Sequence, residues 1–348
     1  MMRTDPLLLD TTRRILRAVA DPQTRQIAGD GRAAAWQALD SGGLTRAWLP
    51  EAAGGAGASV ADGFAILTLA GEVALDVPLA ETLLAGWLLT AAGLAVPDGA
   101  LAPASGDLEL GADGRLAGQL TGVPFARDAL GLAVLGRRAA GDAFVALVDR
   151  AACTVRPRDN LAGEPRDTVM LDGVAPRAVA PVGAALGDQL RAMGAVARAC
   201  QMAGALQAIL GRCVAYASER VAFDRPIGKF QAIQHALARL AGEAAIALAA
   251  SGSAADALAT PGDDPEGVFL EVASAKIRVG EAAAAGATIA HQVHGAIGFS
   301  IEHPLHRFTR RLWAWRDDFG SESAWAVELG ARVARRGADA LWPLLAAR

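Results

Sequence analysis

The sequence has few of the residues that several classes of protein require. Only three of its 348 residues are cysteines (Cys153, Cys200 and Cys213), which excludes a disulfide framework and agrees with a reducing cytoplasm. The formal net charge is -4, so the chain lacks the basic surplus that nucleic-acid binding needs. No apolar run approaches the roughly 20 residues that span a bilayer, and the first residues do not show the apolar segment of a signal peptide. We therefore expect a cytoplasmic protein with no nucleic-acid partner and no membrane span.

Aromatic residues are also scarce, whereas small and aliphatic residues are abundant. Aromatic side chains make up 5% of the chain, and 53% of its residues are hydrophobic, many of them alanine. Alanine and leucine favour helices. Apolar residues repeat at helical spacing after residue 183, for example at Leu206, Ile209 and Cys213. Composition and periodicity together predict a chain that is mostly helical.

The middle of the chain has a different pattern. The runs LGLAVLG, AFVALVD and TVMLDGV are short, rich in valine and leucine, and separated by glycine, aspartate and proline. Such runs predict the strands of a small antiparallel β-domain. We therefore predict an α+β protein of three domains, with a helical domain at 1–100, a β-domain at 101–182 and a helical domain at 183–348.

One segment interrupts two predicted helices in an unusual way. RVAFDRPIGKFQAIQH, residues 220–235, lies between helical segments at 195–219 and 236–250. A plain connection between two helices needs only a few polar residues. This one contains an arginine, a Pro-Ile-Gly turn and a Phe-Gln pair, so we expect it to bind a ligand.

The same segment resembles a signature of the acyl-CoA dehydrogenase family. A second segment, QVHGAIGFSIEHPLHRFTRR at 292–311, is similar to the glycine-rich block of that family, while LPEAAGGAG and VPLAETLLA are similar to its N-terminal segments. The resemblance runs in the right order from about residue 5 to 335. It implies an N-terminal helical domain, a β-barrel-like middle domain and a C-terminal four-helix bundle, with FAD as the cofactor.

The resemblance also implies which residues contact FAD. Arg220 takes the position of an arginine that reaches the flavin nucleotide of a neighbouring subunit, and a guanidinium suits a pyrophosphate because its donors form a fixed fork. Gln231 and Gln292 match glutamines that bond the FAD, and Gly295 allows the backbone to approach it closely. The other implied contacts are Phe223, Ala296 in place of a second glycine, and Ser321 in place of a threonine.

The family resemblance implies partners as well. They are an acyl-CoA thioester as substrate, an electron-transfer flavoprotein as electron acceptor, and further subunits in a homo- or heterotetramer. Four histidines near the second motif (His291, His294, His303 and His306) do not form a complete metal-ligand set. We expect no metal, and we expect these histidines to be helix caps or surface groups.

The catalytic end of the family pattern is missing. The family abstracts the proton α to the thioester carbonyl with a glutamate. That glutamate aligns with Phe319, and the position on an earlier helix that carries the base in other members aligns with Gly194. Neither residue accepts a proton. The segment TGVPFA also replaces the Trp-Ile-Thr strand that flanks the flavin ring.

Three functions remain open at this point. The first is an active dehydrogenase that performs α,β-desaturation of an acyl-CoA, with Asp318 as a relocated base whose pKa burial would raise. The second is a non-catalytic subunit of a heteromeric acyl-CoA dehydrogenase. The third is a related flavin oxidase or monooxygenase.

Overall fold

The computed structural model describes residues 4–20, 31–138, 141–260, 262 and 264–346. The chain folds into two compact units, of which one ends at Ala197 and the other begins at Arg198. The first unit combines the N-terminal helices with the sheets. The three-domain division at residues 100 and 182 stays a prediction.

The described residues of the first unit begin with four α-helices, and their ends match local signals in the sequence. In α1 the buried residues Thr12, Leu16 and Val19 share one face, as their spacing predicts. Ser59 caps α3 in a capping box with Asp62, because each side chain accepts a hydrogen bond from the backbone N–H of the other residue. The four helices are α1 (Pro6–Ala20), α2 (Gly31–Ser41), α3 (Val60–Glu72) and α4 (Leu79–Ala91).

Two four-stranded sheets follow, and the three predicted strands are among them as β4, β5 and β7. One sheet has the order β1-β4-β5-β8, with β1 and β4 parallel, and the other has the antiparallel order β2-β3-β7-β6. The strands are β1 (Leu101–Asp107), β2 (Glu109–Leu110), β3 (Leu116–Pro124), β4 (Gly131–Arg137), β5 (Ala143–Asp149), β6 (Thr154–Arg156), β7 (Arg166–Val174) and β8 (Ala178–Val182).

A single apolar core joins the two sheets. Leu132, Val134 and Phe144 from the first sheet cluster with Leu120 and Val169 from the second, and all five are almost fully buried. No strand in the described part of the chain closes the sheets into one barrel. The expected barrel-like domain is therefore two sheets around a shared core.

The second unit is helical, as predicted. It starts within α5, and its segments are α5 (Leu186–Glu219), the hairpin β9 (Val221–Ala222) and β10 (Arg225–Pro226), α6 (Gln231–Ala259), α7 (Pro265–His294), α8 (Leu305–Asp317), α9 (Glu322–Arg336) and α10 (Leu341–Ala346). None of the described helices is long and apolar enough to cross a bilayer.

Side chains of α5 meet α7 at Leu206–Gly286 and again at Tyr216–His294, in the same order along both helices, so the two helices run in the same direction. Near their middle, a Cβ at Gly286 would approach the Leu206 Cδ2 to 2.4 Å, so any larger residue at 286 would force the Leu206 side chain to shift. At one end Tyr216 stacks on His294. At the other end Arg198 and Lys276 both reach residues that end α8. Both helices cover 18 residues between these contacts (198 to 216 and 276 to 294), about 27 Å at the usual rise of a helix.

Candidate functional site

A tight hairpin follows α5 and carries the first predicted motif. The backbone N–H of Arg220 donates to the Tyr216 oxygen at 2.8 Å, which fixes the start of the hairpin against the helix. Phe223 and Asp224 form its two-residue turn with φ of 52° and 64°, the left-handed values that such turns need. The Phe223 side chain is 89% exposed. The hairpin therefore holds an aromatic ring in solvent at the cost of backbone strain.

Two polar side chains of this segment are free to meet a ligand. Arg220 is exposed, and its guanidinium has no hydrogen-bond or ion-pair partner within the described ranges. Gln231 is the first residue of α6, is exposed, and has no side-chain partner in the same ranges. The N-terminus of a long helix carries partial positive charge. An arginine and an amide at this position suit a phosphate group.

The second motif lies at the C-terminal end of α7. Gln292 is exposed, and Gly295 has φ 65° and ψ -146°, a conformation that side chains disfavour. No atom lies within 4 Å of the position that a Cβ at Gly295 would take, so the space beside this backbone is open. Ala296 is exposed in the short helix at 295–299 and has no positive φ, which explains how alanine is tolerated there.

The stack of Tyr216 on His294 brings these two motifs together. The ring centroids are 4.5 Å apart with an interplanar angle of 23°. Tyr216 is one helical turn before Arg220, while His294 lies directly before Gly295. Six of the eight predicted site residues (Arg220, Phe223, Gln231, Gln292, Gly295 and Ala296) therefore occur on the segments that leave this end of α5 and α7, here called the nucleotide end.

Histidines form the support of the nucleotide end, and the expectation that they are caps or surface groups is wrong for two of them. His291 and His294 are buried. The ring of His291 stacks on Phe299 at 4.2 Å, and its Nε2 lies 2.9 Å from the Thr309 hydroxyl. His294 Nδ1 lies 2.9 Å from the Ala290 oxygen, which makes Nδ1 the protonated nitrogen.

These imidazoles are held in their neutral form. Burial lowers the pKa of His291, His294 and His303, and for His294 and His303 the nearby Arg212 guanidinium lowers it further. No group of side chains in the described part of the chain could hold a metal ion. The cluster therefore serves as packing and hydrogen bonding around the second motif. The sequence pattern pointed to these histidines but did not predict that His291 and His294 are buried.

The remaining two predicted site residues lie at the other end of the same helices. Asp318 and Ser321 belong to the turn at 317–321, which joins α8 to α9. Ser321 caps α9 by accepting from the backbone N–H of Ala324 at 3.3 Å, and so its hydroxyl proton stays available to a ligand. Phe319 has φ 56°, and its oxygen accepts from the Trp325 indole N–H at 3.1 Å.

Asp318, the candidate base, is part of a buried charge network. Its Oδ2 accepts from the Nε of Arg198 at 2.8 Å, and the two side chains are 14% and 3% exposed. Arg198 also donates to the Gln201 oxygen at 2.6 Å. This ion pair engages one of the two carboxylate oxygens of Asp318. Gly194, the second position at which the family carries a base, is buried and has no side chain.

Lys276 completes this network. It is 1% exposed, and its ammonium donates to the backbone oxygens of Trp315 at 3.3 Å and Arg316 at 2.7 Å, in the last turn of α8, where carbonyls accept from groups outside the helix. Burial lowers the pKa of Lys276 to about 8, against the opposing effect of Asp318. No motif in the sequence marks Arg198 or Lys276, and each contacts a residue at least 39 positions away in the chain.

The residues of the nucleotide end fit FAD in their chemistry. A forked cation, two amides and an open glycine backbone are the groups that a pyrophosphate and the adjoining hydroxyls require. The turn at 317–321 lies about 27 Å away along α5 and α7. The chain thus carries two groups of candidate site residues, at opposite ends of the same pair of helices.

Comparisons with known proteins find acyl-CoA dehydrogenases among the proteins similar to this chain. The family model described as "Acyl-CoA dehydrogenase, C-terminal domain" matches residues 189–316. Acyl-CoA dehydrogenase FadE34 of Mycobacterium tuberculosis is 29% identical over 85% of this chain, which spans only 42% of that relative. Acyl-CoA dehydrogenase IpdE2 of Mycolicibacterium smegmatis is 29% identical over 76% of each protein. The structure named "Tcur3481-Tcur3483 steroid ACAD G363A variant" matches with a TM-score of 0.81 and 25% identity, over 94% of this chain and 97% of that one.

Proposed function

We propose that this chain, which belongs to the acyl-CoA dehydrogenase family, is a subunit of a FAD-dependent acyl-CoA dehydrogenase and supplies the nucleotide half of a flavin site to a neighbouring subunit. One observation carries the proposal. The exposed candidates for FAD binding lie about 27 Å from the turn at 317–321, where other members of the family carry the catalytic base. A flavin whose pyrophosphate meets Arg220 is therefore served by the base of another subunit.

The reaction divides between the cofactor, the partner and this chain. FAD, when bound, accepts the hydride that leaves the β carbon of an acyl-CoA thioester, while a base takes the α proton and a C=C bond forms between the two carbons. Arg220 would pair with the pyrophosphate, and Gln231 and Gln292 would bond the nucleotide. Gly295 would let the backbone approach it. An electron-transfer flavoprotein is the proposed acceptor of the electrons.

The turn at 317–321 supports a non-catalytic role for this chain. Phe319 replaces the base, and the neighbouring carboxylate of Asp318 is engaged by Arg198 at 2.8 Å. Phe223 is 89% exposed on a strained turn, as expected of a residue that a partner subunit or a ligand covers. The name of the similar steroid ACAD joins two proteins, Tcur3481 and Tcur3483, which supports a heteromeric assembly here.

A second candidate is a homomeric dehydrogenase in which Asp318 acts as the base. The turn at 317–321 favours it, since left-handed φ at Phe319 and Gly320 and the cap at Ser321 preserve a shaped loop after α8. Purification separates the two candidates. The chain expressed alone should bind FAD weakly and fail to dehydrogenate acyl-CoA. Tight FAD binding and dehydrogenase activity should both appear when a partner with the glutamate is co-expressed. A homomer with full flavin content and turnover would overturn the heteromeric proposal.

The cofactor assignment is tested at Arg220. Loss of a charge-assisted contact with a phosphate costs about 1.5–3 kcal/mol, so Arg220→Ala should weaken FAD binding by roughly 10- to 150-fold. Arg239→Ala is the matched control, because Arg239 is also exposed but lies further along α6. Flavin content per particle, read from visible absorbance after dialysis, gives the result. Equal flavin retention in the two variants would refute the assignment.

A further inference from the structure

The nucleotide end is built from two chain segments that are distant in sequence. Arg220 follows α5, whereas Gln292 and Gly295 end α7. A ligand that uses all three needs the two helix ends in a fixed relation, because misplacement by about 1 Å is enough to cost binding or rate.

Tyr216 and His294 make a direct aromatic contact between those ends. Their rings stack at 4.5 Å, and the ring of His303 approaches both, at 4.7 Å from His294 and 6.3 Å from Tyr216. Tyr216 is the single tyrosine of the sequence. Stacked rings resist sliding, since an offset aromatic pair has a preferred geometry and contributes about 0.5–1.5 kcal/mol beyond its buried area.

Each partner in the stack is also fixed to one motif. The Tyr216 backbone oxygen accepts from the N–H of Arg220 at 2.8 Å. The His294 ring is held in orientation by its Nδ1 contact with the Ala290 oxygen at 2.9 Å, and its backbone leads straight into Gly295. A shift of either helix end that carries these rings would therefore move a predicted FAD contact.

We propose that Tyr216 and His294 are positioning residues, which hold Arg220 at a set distance from the Gln292–Gly295 segment and thereby determine the affinity for the nucleotide half of FAD. This inference rests on the proposed function. Neither ring needs to touch the cofactor. The aromatic stack matters, and the phenol hydroxyl does not, because no hydrogen bond within the described ranges involves that hydroxyl.

The test compares two substitutions of Tyr216 in the assembled particle. Tyr216→Phe keeps the ring and should bind FAD within about twofold of the wild type, whereas Tyr216→Leu removes the stack and should weaken binding by about tenfold. Phe269→Leu is the control. It breaks the Phe269–Trp325 aromatic contact (5.7 Å) at the far end of α7, and should lower stability without changing FAD affinity.

A second measurement separates this inference from the proposed function. In the particle stripped of flavin, Tyr216→Leu should speed amide hydrogen exchange at residues 292–299, and Arg220→Ala should not. If Arg220→Ala weakens FAD binding but Tyr216→Leu does not, the positioning role is overturned, whatever the exchange shows. If Arg220→Ala leaves FAD binding unchanged, the proposed function fails and the positioning role fails with it.

Discussion

The ion pair between Arg198 and Asp318 offers the most direct test of whether Asp318 is a base or a structural group. Its two side chains are 3% and 14% exposed, and Nε and Oδ2 are 2.8 Å apart. Removing one partner of a buried pair costs about 3–5 kcal/mol because the other charge stays buried without compensation. Lys276 lies nearby and compensates Asp318 in part, so we expect Arg198→Met to cost about 3 kcal/mol, at the lower end of that range.

A double-mutant cycle isolates the pair. Arg198→Met and Asp318→Ala should each cost about 3 kcal/mol, and the double variant about 3–4 rather than 6, because it removes both charges of the pair together. The coupling energy is then about 2–3 kcal/mol, within the range measured for residues in contact. Urea unfolding at one fixed protein concentration measures these values, provided that the variants share the wild-type slope of unfolding free energy against urea concentration. Costs that add within about 0.5 kcal/mol would refute the pairing.

Activity of the assembled particle completes the same test. A general base contributes roughly 100- to 10,000-fold to the rate, so Asp318→Asn should remove most activity if Asp318 were the base. We expect a change smaller than tenfold. Asp317→Asn is the matched control, since Asp317 is the exposed neighbour in the same turn. A loss of more than 100-fold in the Asp318 variant alone would establish the homomeric candidate instead.

Three further predictions concern the histidines, the buried lysine and the missing base. The pKa values of His291, His294 and His303 are lowered from 6.5 in the folded chain, so the unfolded chain binds more protons in acid. The free energy of unfolding should therefore fall as the pH drops below about 6.5. In urea titrations at several pH values, His294→Phe should make the free energy of unfolding depend less on pH. The pKa of Lys276 is lowered to about 8 from 10.5, so the stability of the wild type relative to Lys276→Met should rise between pH 8 and 10.5, and a flat difference in urea midpoints would contradict this. Phe319→Glu should restore a carboxylate but no flavin reduction by acyl-CoA, since TGVPFA stands where the family resemblance implies a Trp-Ile-Thr sequence beside the flavin ring; bleaching of the flavin spectrum would show that the substrate side has survived.

Much of the fold could be predicted because its signals are local. Runs of valine and leucine predicted β4, β5 and β7, and the helical segments predicted at 195–219 and 236–250 lie within α5 and α6. The pairing of strands into two open sheets was not predictable in the same way. Register and sheet order depend on contacts between segments far apart in the chain, and the runs themselves do not specify their neighbours.

The residues of the candidate site show the same contrast between local signals and contacts that are distant in sequence. Arg220, Gln231 and Gln292 belong to compact motifs, so the sequence singled them out. The role of Arg198 could not be predicted from the sequence, because its partner Asp318 lies 120 positions away and an arginine on an alanine-rich helix resembles a surface charge. The burial of Lys276 was hidden for the same reason, and only the packing of α7 against the end of α8 identifies it.

Under the proposed function, the distance between the nucleotide end and the turn at 317–321 would allow one to change without disturbing the other. A substitution at Phe319 alters a turn that lies about 27 Å from Tyr216, too far to disturb the packing around Arg220 and Gly295. If each end serves a different flavin, loss of the base disables only the flavin that this chain's own turn would face. The nucleotide end would still be needed by the partner's flavin, and so the residues that hold it in shape, Tyr216 and His294, would remain under the same constraint as Arg220 itself.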